Sequence, residues 1–178
     1  KWALEHRAAN PGIRAGDMFI SNDPYVGSPH QPDTCIAAPV FVDGGLFGWV
    51  TNTMHHLDIG GIKLGSTDEA AEDIFQEGIC LPPTTVMSGG QIRNDVVDLF
   101  ARSSRLSPMV GMDLRASIAA CGRARDQLSA LVAKYGAGAV KAVMRGTMVA
   151  ARQIFEERLA QIPDGRWVLA TTHNVAHL

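Results

Sequence analysis

The run Cys35-Ile36-Ala37-Ala38-Pro39-Val40-Phe41-Val42, then Asp43-Gly44-Gly45, then Leu46-Phe47-Gly48-Trp49-Val50-Thr51-Asn52 reads as two β-strands around a short glycine-containing turn. An antiparallel hairpin determines which residues face one another. With a three-residue loop, Val42 faces Leu46 and the register carries Asp33 opposite His55. With Gly44-Gly45 alone as the loop, Asp33 falls opposite His56. Either register sets a carboxylate against an imidazole, with Cβ atoms about 4.5–5.5 Å apart. Pro39 or a bulge can move the pairing by one residue.

On the N-terminal side of the hairpin, Asp17 to Ser21 reads as a short strand, and Asn22-Asp23-Pro24 as a turn in which Pro24 presets φ and keeps Asp23 extended. On the C-terminal side the composition changes near Gly65: Gly, Pro, Asn and His give way to Ala, Arg, Leu and Met. Ser66-Thr67-Asp68-Glu69 has the form of a capping box and predicts a helix to Gly78. Pro82-Pro83 breaks the chain, Asn94 opens a helix expected to reach about Arg105, and Pro108 starts a long one to Tyr135. After Gly136, apolar residues recur from Val140 through Met144, Met148 and Phe155 to Leu159, a helical spacing that predicts one buried face, and Pro163 ends it. The expected fold is therefore α+β: a β-hairpin-containing, Gly/Pro-rich, metal-binding half packed on a helical half that contains a long helical hairpin.

The chain has 178 residues, 16 basic against 18 acidic, for a formal net charge of -2. With 46% hydrophobic and 19% charged residues it has enough apolar material for a core, which excludes a disordered chain. The charge balance supplies no basic field for a polyanion, which argues against a dedicated nucleic-acid binder. No apolar run approaches the roughly 18 residues of a membrane span. Cys35, Cys80 and Cys121 are odd in number and never form a C-x-x-C pair, so a reducing cytoplasm is the expected compartment. The chain opens on Lys1 with an amphipathic Trp2–Glu5 segment, as expected of a piece of a longer polypeptide.

His30, Asp33 and one of His55 or His56 form a set of two imidazoles and a carboxylate, suited to manganese, iron or zinc with positions left for water or substrate. Hydrogen bonding within a polar turn would explain the same residues without a metal.

Several motifs occur in one order: Gly16-Asp17-Met18-Phe19-Ile20-Ser21-Asn22-Asp23-Pro24-Tyr25, His30-Gln31-Pro32-Asp33, His55-His56-Leu57-Asp58-Ile59-Gly60-Gly61, Phe75-Gln76-Glu77-Gly78 and Pro82-Pro83. Together they resemble the hydantoinase B/oxoprolinase family, from residue 1 to Trp167. The resemblance implies a partial domain over 1–167, β-rich over 13–65 and helical over 66–162, with a divergent tail at 168–178. It also implies a subunit of an ATP-dependent enzyme that opens a cyclic amide, a hydantoin or 5-oxoproline, or of an acetone or acetophenone carboxylase. His30-Gln31 and Asn10-Pro11-Gly12-Ile13 resemble the carboxylases, whereas Pro32 and the doubled His55-His56 resemble the hydantoinases. By resemblance, His30, Asp33 and His55 hold the divalent metal; His56 is then a candidate to stand behind the ligands or to face substrate, and Asp58 orients an imidazole or simply closes a turn.

The chain contains neither G-x-x-x-x-G-K-[ST] nor a strand leading into G-x-G-x-x-G. The resemblance assigns ATP use to a hydantoinase A-like partner subunit or domain. A non-catalytic assembly module, built around the helical hairpin, is the competing expectation from another class. His173 and His177, at i, i+4, are a weaker metal candidate in the tail. The arginines at 102, 105, 115, 123 and 125 read as a solvated face or a subunit contact.

Overall fold

The computed structural model describes residues 1–66 and 70–170. Four residues of β1, Met18–Ser21, lie between two antiparallel neighbours, β2 (Asp33–Val42) and β4 (Thr84–Ser88). Beyond β2 lies β3 (Gly45–His55), and beyond β4 the two-residue β5 (Gln91–Ile92), giving the order β3-β2-β1-β4-β5 with every pairing antiparallel. The helices are α1 (Trp2–Arg7), α2 (Asn94–Arg102), α3 (Ser107–Tyr135) and α4 (Ala137–Leu159). The fold is α+β.

Strand alternation sorts the sheet into two faces. Met18, Ile20, Ile36, Ala38 and Val86 turn toward α2 and α3, where Phe100, Val110, Leu114 and Ile118 complete a core with almost no solvent exposure. Cys121 on α3 is part of that core, and its thiol donates to the Val50 carbonyl at 3.3 Å. The other face carries Phe19 and Ser21 of β1, Cys35 and Ala37 of β2, and Thr51 and Thr53 of β3. It is the face that also carries Asp33 and His55.

The hairpin forms, with a correction at its tip. Val42 pairs with Gly45, so the loop is only Asp43-Gly44, both at positive φ (51° and 78°), the backbone that a two-residue hairpin turn requires. Phe41 pairs with Leu46 and Val40 with Gly48, leaving Phe47 as the extra residue of a bulge. The shorter loop and the bulge cancel, and from Val40 onward the pairing is the one a three-residue loop would set.

Four other expectations change. The helix from Ser66 to Gly78 is absent among the described residues, where only a single 3-10 turn, Ile74–Gln76, forms; Glu69 lies outside them. Ser66 does not cap a helix. Its own φ is 51°, its hydroxyl donates to the Gly60 carbonyl, and its oxygen accepts from the Ile59 amide, both at 2.8 Å. The stretch read as helical also contains β4 and β5, joined through Gly89-Gly90. α2 stops at Arg102 instead of Arg105, because Ser104 and Arg105 turn away to bind a distant carboxylate.

The chain divides into two compact units, Lys1–Ala137 and Gly138–Leu178. α4, described by itself, is a 23-residue helix in which no residue is buried. Its apolar positions recur as expected, but Val143, Met148 and Phe155 are exposed, so the predicted buried face is not buried. No helix among the described residues is long and apolar enough to cross a membrane.

Candidate metal centre

β2 begins at Asp33 and β3 ends at His55, and these two residues are direct cross-strand partners. The Asp33 amide donates to the His30 carbonyl at 3.1 Å, a turn that folds His30 back over the strand end. Three side chains then meet. His55 Nδ1 lies 2.9 Å from Asp33 Oδ1, His30 Nε2 lies 3.5 Å from Asp33 Oδ2, and the two ring nitrogens are 3.3 Å apart. One donor atom from each of the three lies within 4.8 Å of the others. The imidazole of His30 is partly open and that of His55 more so, and Asp33 sits beneath them.

The turn bearing His30 is held from behind by Asn22. That side chain is fully buried; its Nδ2 donates to the Gln31 carbonyl at 2.8 Å and to the Ile79 carbonyl at 2.7 Å, while its Oδ1 accepts from the Leu81 amide at 2.7 Å. Gln31, also fully buried, donates to the Gly78 carbonyl at 3.1 Å. Asp23 accepts from the Tyr25 amide and closes the turn that Pro24 shapes. Asn22 and Gln31 are thus positioning residues, and Gln31 points away from the cluster's open side.

One residue past His55 the chain leaves the strand and its side chain reverses face. The His56 amide continues the ladder to the Pro32 carbonyl at 2.9 Å, and its ring enters the core edge-on to Phe100, with ring centroids 5.3 Å apart. His56 is 1% exposed. Burial pushes its pKa down, Asp113 opposes that shift, and His55 adds to it. The His56 ring therefore lies in the core and not on the open face that carries His55.

Asp58 is fully buried, and of its two readings, an imidazole's partner or a turn aspartate, its contacts are those of the second. Its Oδ1 accepts from the amides of Gly60 and Arg105 and from the Ser104 hydroxyl; its Oδ2 accepts from the Gly65 amide and the Arg105 guanidinium, all at 2.8–3.1 Å. Burial alone would raise its pKa, but the Arg105, Gly65 and Gly60 amides, with the guanidinium, outweigh that and hold it at about 2. Arg105 also donates to the carbonyls of Gly61 and Lys63. The glycines answer to the same packing: a Cβ on Gly60 would lie 2.6 Å from the Ser103 carbonyl oxygen, and one on Gly61 2.6 Å from that of Gln76.

Residues 1–176 match the family described as hydantoinase B/oxoprolinase. The chain belongs to that family. It is 34% identical over 154 residues to the caprolactamase subunit beta of Pseudomonas jessenii, covering 86% of this chain and 26% of that protein. To the acetophenone carboxylase delta subunit of Aromatoleum aromaticum it is 31% identical over 160 residues, covering 89% and 23%. The fold matches the crystal structure of the ATP-dependent caprolactamase from Pseudomonas jessenii with a TM-score of 0.77 at 30% identity, over 92% of this chain and 28% of that one. It matches a nucleotide-free acetone carboxylase structure at 0.74 and 29%, over 79% and 18%. The chain spans about a quarter of the length of the curated relatives it matches.

Within this hydantoinase B/oxoprolinase chain, the signature motifs separate into two kinds. The side chains of His30, Asp33 and His55 meet one another on the open face; those of Asn22, Gln31 and Asp58 bond to the loops behind. Ser104 and Arg105, which complete the Asp58 knot, carry no local signal, since they lie 46 and 47 residues away in sequence. Burial raises the pKa of the Cys35 and Cys80 thiols, which keeps both protonated and poorly nucleophilic at neutral pH. His173 and His177 lie outside the described residues.

Proposed function

We propose that this chain is the metal-bearing part of a subunit that, with a hydantoinase A-like partner using ATP, hydrolyses a cyclic amide of the hydantoin or 5-oxoproline type. The observation that carries this reading is the convergence of His30, Asp33 and His55 at one strand end. The donor set fits a divalent ion of the manganese, zinc or iron group: ligands about 2.0–2.1 Å from such an ion stand about 3.0–3.4 Å from one another. The separations of 2.9 and 3.3 Å about His55 Nδ1 are of that size, and one donor atom from each of the three residues lies within 4.8 Å of the other two. A bound ion of this kind polarises a carbonyl or phosphoryl oxygen or acidifies water. Asp33 supplies the anionic charge, the two imidazoles neutral nitrogen donors, and Asn22 the rigidity that keeps His30 on station.

The names of the relatives support the amide chemistry, since one is an ATP-dependent caprolactamase and others are 5-oxoprolinases. Both are consistent with a hetero-oligomer in which the nucleotide is handled elsewhere. Three free cysteines suit a cytoplasmic setting. A second reading, an α-type subunit of a ketone carboxylase, is favoured by the 31% identity to the acetophenone carboxylase subunit across 89% of this chain. Of the two sequence cues to it, His30-Gln31 and Asn10-Pro11-Gly12-Ile13, the Gln31 side chain is buried and donates to the Gly78 carbonyl.

Elemental analysis of the purified protein and of a His30→Ala/Asp33→Ala double variant tests the metal. The expected result is a divalent ion in the parent and its loss in the variant; equal occupancy sinks the site and favours an assembly module. Supplying the full complex with ATP and a hydantoin or 5-oxoproline, then with ATP, labelled bicarbonate and acetone or acetophenone, tests the reaction. Turnover of ketones alone would replace the hydrolase reading with the carboxylase one.

A further inference from the structure

The two edges of the sheet are built differently. At one edge β5 has two residues, Gln91 and Ile92; at the other β3 runs from Gly45 to His55, and among the described residues no further strand pairs with it. Proteins keep foreign strands off an edge by making it short or by placing charge or proline on it. β3 contains no Asp, Glu, Lys, Arg or Pro. Its one irregularity, the bulge at Phe47, sits at the hairpin end, so the strand is regular from Trp49 to His55, with Thr51, Thr53 and His55 exposed.

Alternation determines which backbone groups point outward. The His56 amide bonds to the Pro32 carbonyl, so the even positions before it, Met54, Asn52 and Val50, likewise bond inward to β2. Pro39, which has no N–H, lies opposite Trp49, where the ladder needs none. Trp49, Thr51, Thr53 and His55 therefore direct their N–H and C=O groups away from the sheet, and these positions are symmetric about Asn52. A second β3 laid antiparallel on a two-fold axis at Asn52 sets Thr51 against Thr53 and Trp49 against His55 of the other copy. Every outward donor then meets an outward acceptor, and no like charges oppose each other. Moving the axis to Thr51 would set His55 against the bulged Phe47, and moving it to Thr53 would set Trp49 against Leu57, beyond the end of the strand.

We infer that β3 is the seam at which two copies of this chain join, edge to edge and antiparallel about Asn52, so that each His30/Asp33/His55 cluster borders the other copy. The two five-stranded sheets become one continuous sheet. Opposed residues on such strands point to the same face, with Cα atoms about 5.5 Å apart for this class of pair, so Trp49 of one copy adjoins His55 of the other on the open face. The two clusters then lie about 20 Å apart along the strands, on the same side of the sheet. The seam does not depend on which substrate the enzyme turns over.

Asn52→Cys in the intact complex tests it. On the proposed axis the two copies of position 52 are directly opposed, with Cα atoms about 4.5 Å apart, within reach of a disulfide. Mild oxidation is expected to link at least half of the subunit to a second copy of itself, reversibly on reduction. The parent and His55→Cys, whose two positions stand about 20 Å apart, are expected to give no such link. Two edge variants, each combined with Asn52→Cys, check the hydrogen bonding: Thr51→Pro removes an outward donor and leaves the bonds to β2 in place, and Thr51→Lys/Thr53→Lys sets like charges opposite each other. Each is expected to slow the link at least tenfold with metal content unchanged, and the lysine variant reads the same quantity if the proline one does not assemble. No link between copies through position 52, a link from it to another chain of the complex or to a distant part of the same subunit, or a link indifferent to the edge variants overturns the inference.

Discussion

Two aspartate-histidine pairs, the cross-strand partners Asp33 and His55 and the sequence neighbours Asp58 and His56, lie at one end of the sheet and have opposite fates. The first pair stands on the open face with its donor atoms directed at His30. The second is buried: His56 against Phe100, Asp58 inside a knot of amides and the Arg105 guanidinium. Residue type does not separate them; strand parity and the end of β3 do. Position 55 takes the outer face, position 56 the core, and by position 58 the chain has entered a loop that must satisfy its backbone from within.

The largest effect expected from testing this contrast is on stability, at Asp58. Asp58→Ala removes the acceptor of three amides, one hydroxyl and a guanidinium, leaving a half-exposed cation without its counter-charge and four other donors without their acceptor. A buried donor left without its acceptor costs about 1–3 kcal/mol, so the loss of several together should reach about 3 kcal/mol. A denaturant titration should show that loss, while refolded protein binds metal as before. The same carboxylate sets an acid limit. Its pKa is about 2 against 3.8 for an ordinary aspartate, so its contribution, about 2 kcal/mol, is complete above pH 4 and lost as pH falls toward 2. Asp58→Asn should lack that part of the acid dependence; an unchanged acid limb would mean the knot does not act through charge.

The Asp33 side of the contrast predicts the reverse pattern. His55→Ala should leave the unfolding midpoint within about 1 kcal/mol of the parent, since the residue is exposed on an edge strand. Its effect should fall on divalent-ion affinity, lowered at least 100-fold, the upper end of what is lost even when a group behind a ligand is removed. Competition with a chromogenic chelator measures it. A stability loss comparable to that of Asp58→Ala, with ion affinity intact, would make the two pairs alike and remove the distinction.

The legible part of the centre was the cross-strand relation, and the reason is instructive. A hairpin propagates its local choices over ten residues, so the turn and the strand patterning together place Asp33 beside His55. The turn is in fact one residue shorter than the register requires, and Phe47 makes up the difference as a bulge. Period-2 patterning constrains the far end of such a strand more tightly than its tip, because a one-residue slip there would send Ile36 and Ala38 out of the core. The illegible part is non-local. Ser66-Thr67-Asp68-Glu69 has the composition of a helix start, yet the Ser66 hydroxyl is claimed by Ile59 and Gly60. Arg105 sits in a run of arginines that helical spacing assigns to solvent; only the loop around Asp58 distinguishes it. β4 and β5 were hidden by the shift toward helical composition, although Thr84-Thr85-Val86 and Gly89-Gly90 are ordinary strand and turn residues.

The smallest effect, and the sharpest separation of the two histidines, is at His56. Among the described residues neither of its ring nitrogens has a hydrogen-bond partner, and burial favours the neutral ring. What the site uses is the ring's shape against Phe100. His56→Phe keeps a flat ring of similar width and removes two buried polar atoms, so its stability should fall within about 1 kcal/mol of the parent on either side. His56→Ala, which leaves a cavity beside Phe100, should cost about 3 kcal/mol. Ion affinity should survive both, because the Pro32 carbonyl is bonded by the backbone amide at position 56, which every variant retains. If His56→Phe instead abolished ion binding while the fold held, the second imidazole would belong to the centre and the parity rule that separates the two pairs would fail at its first step.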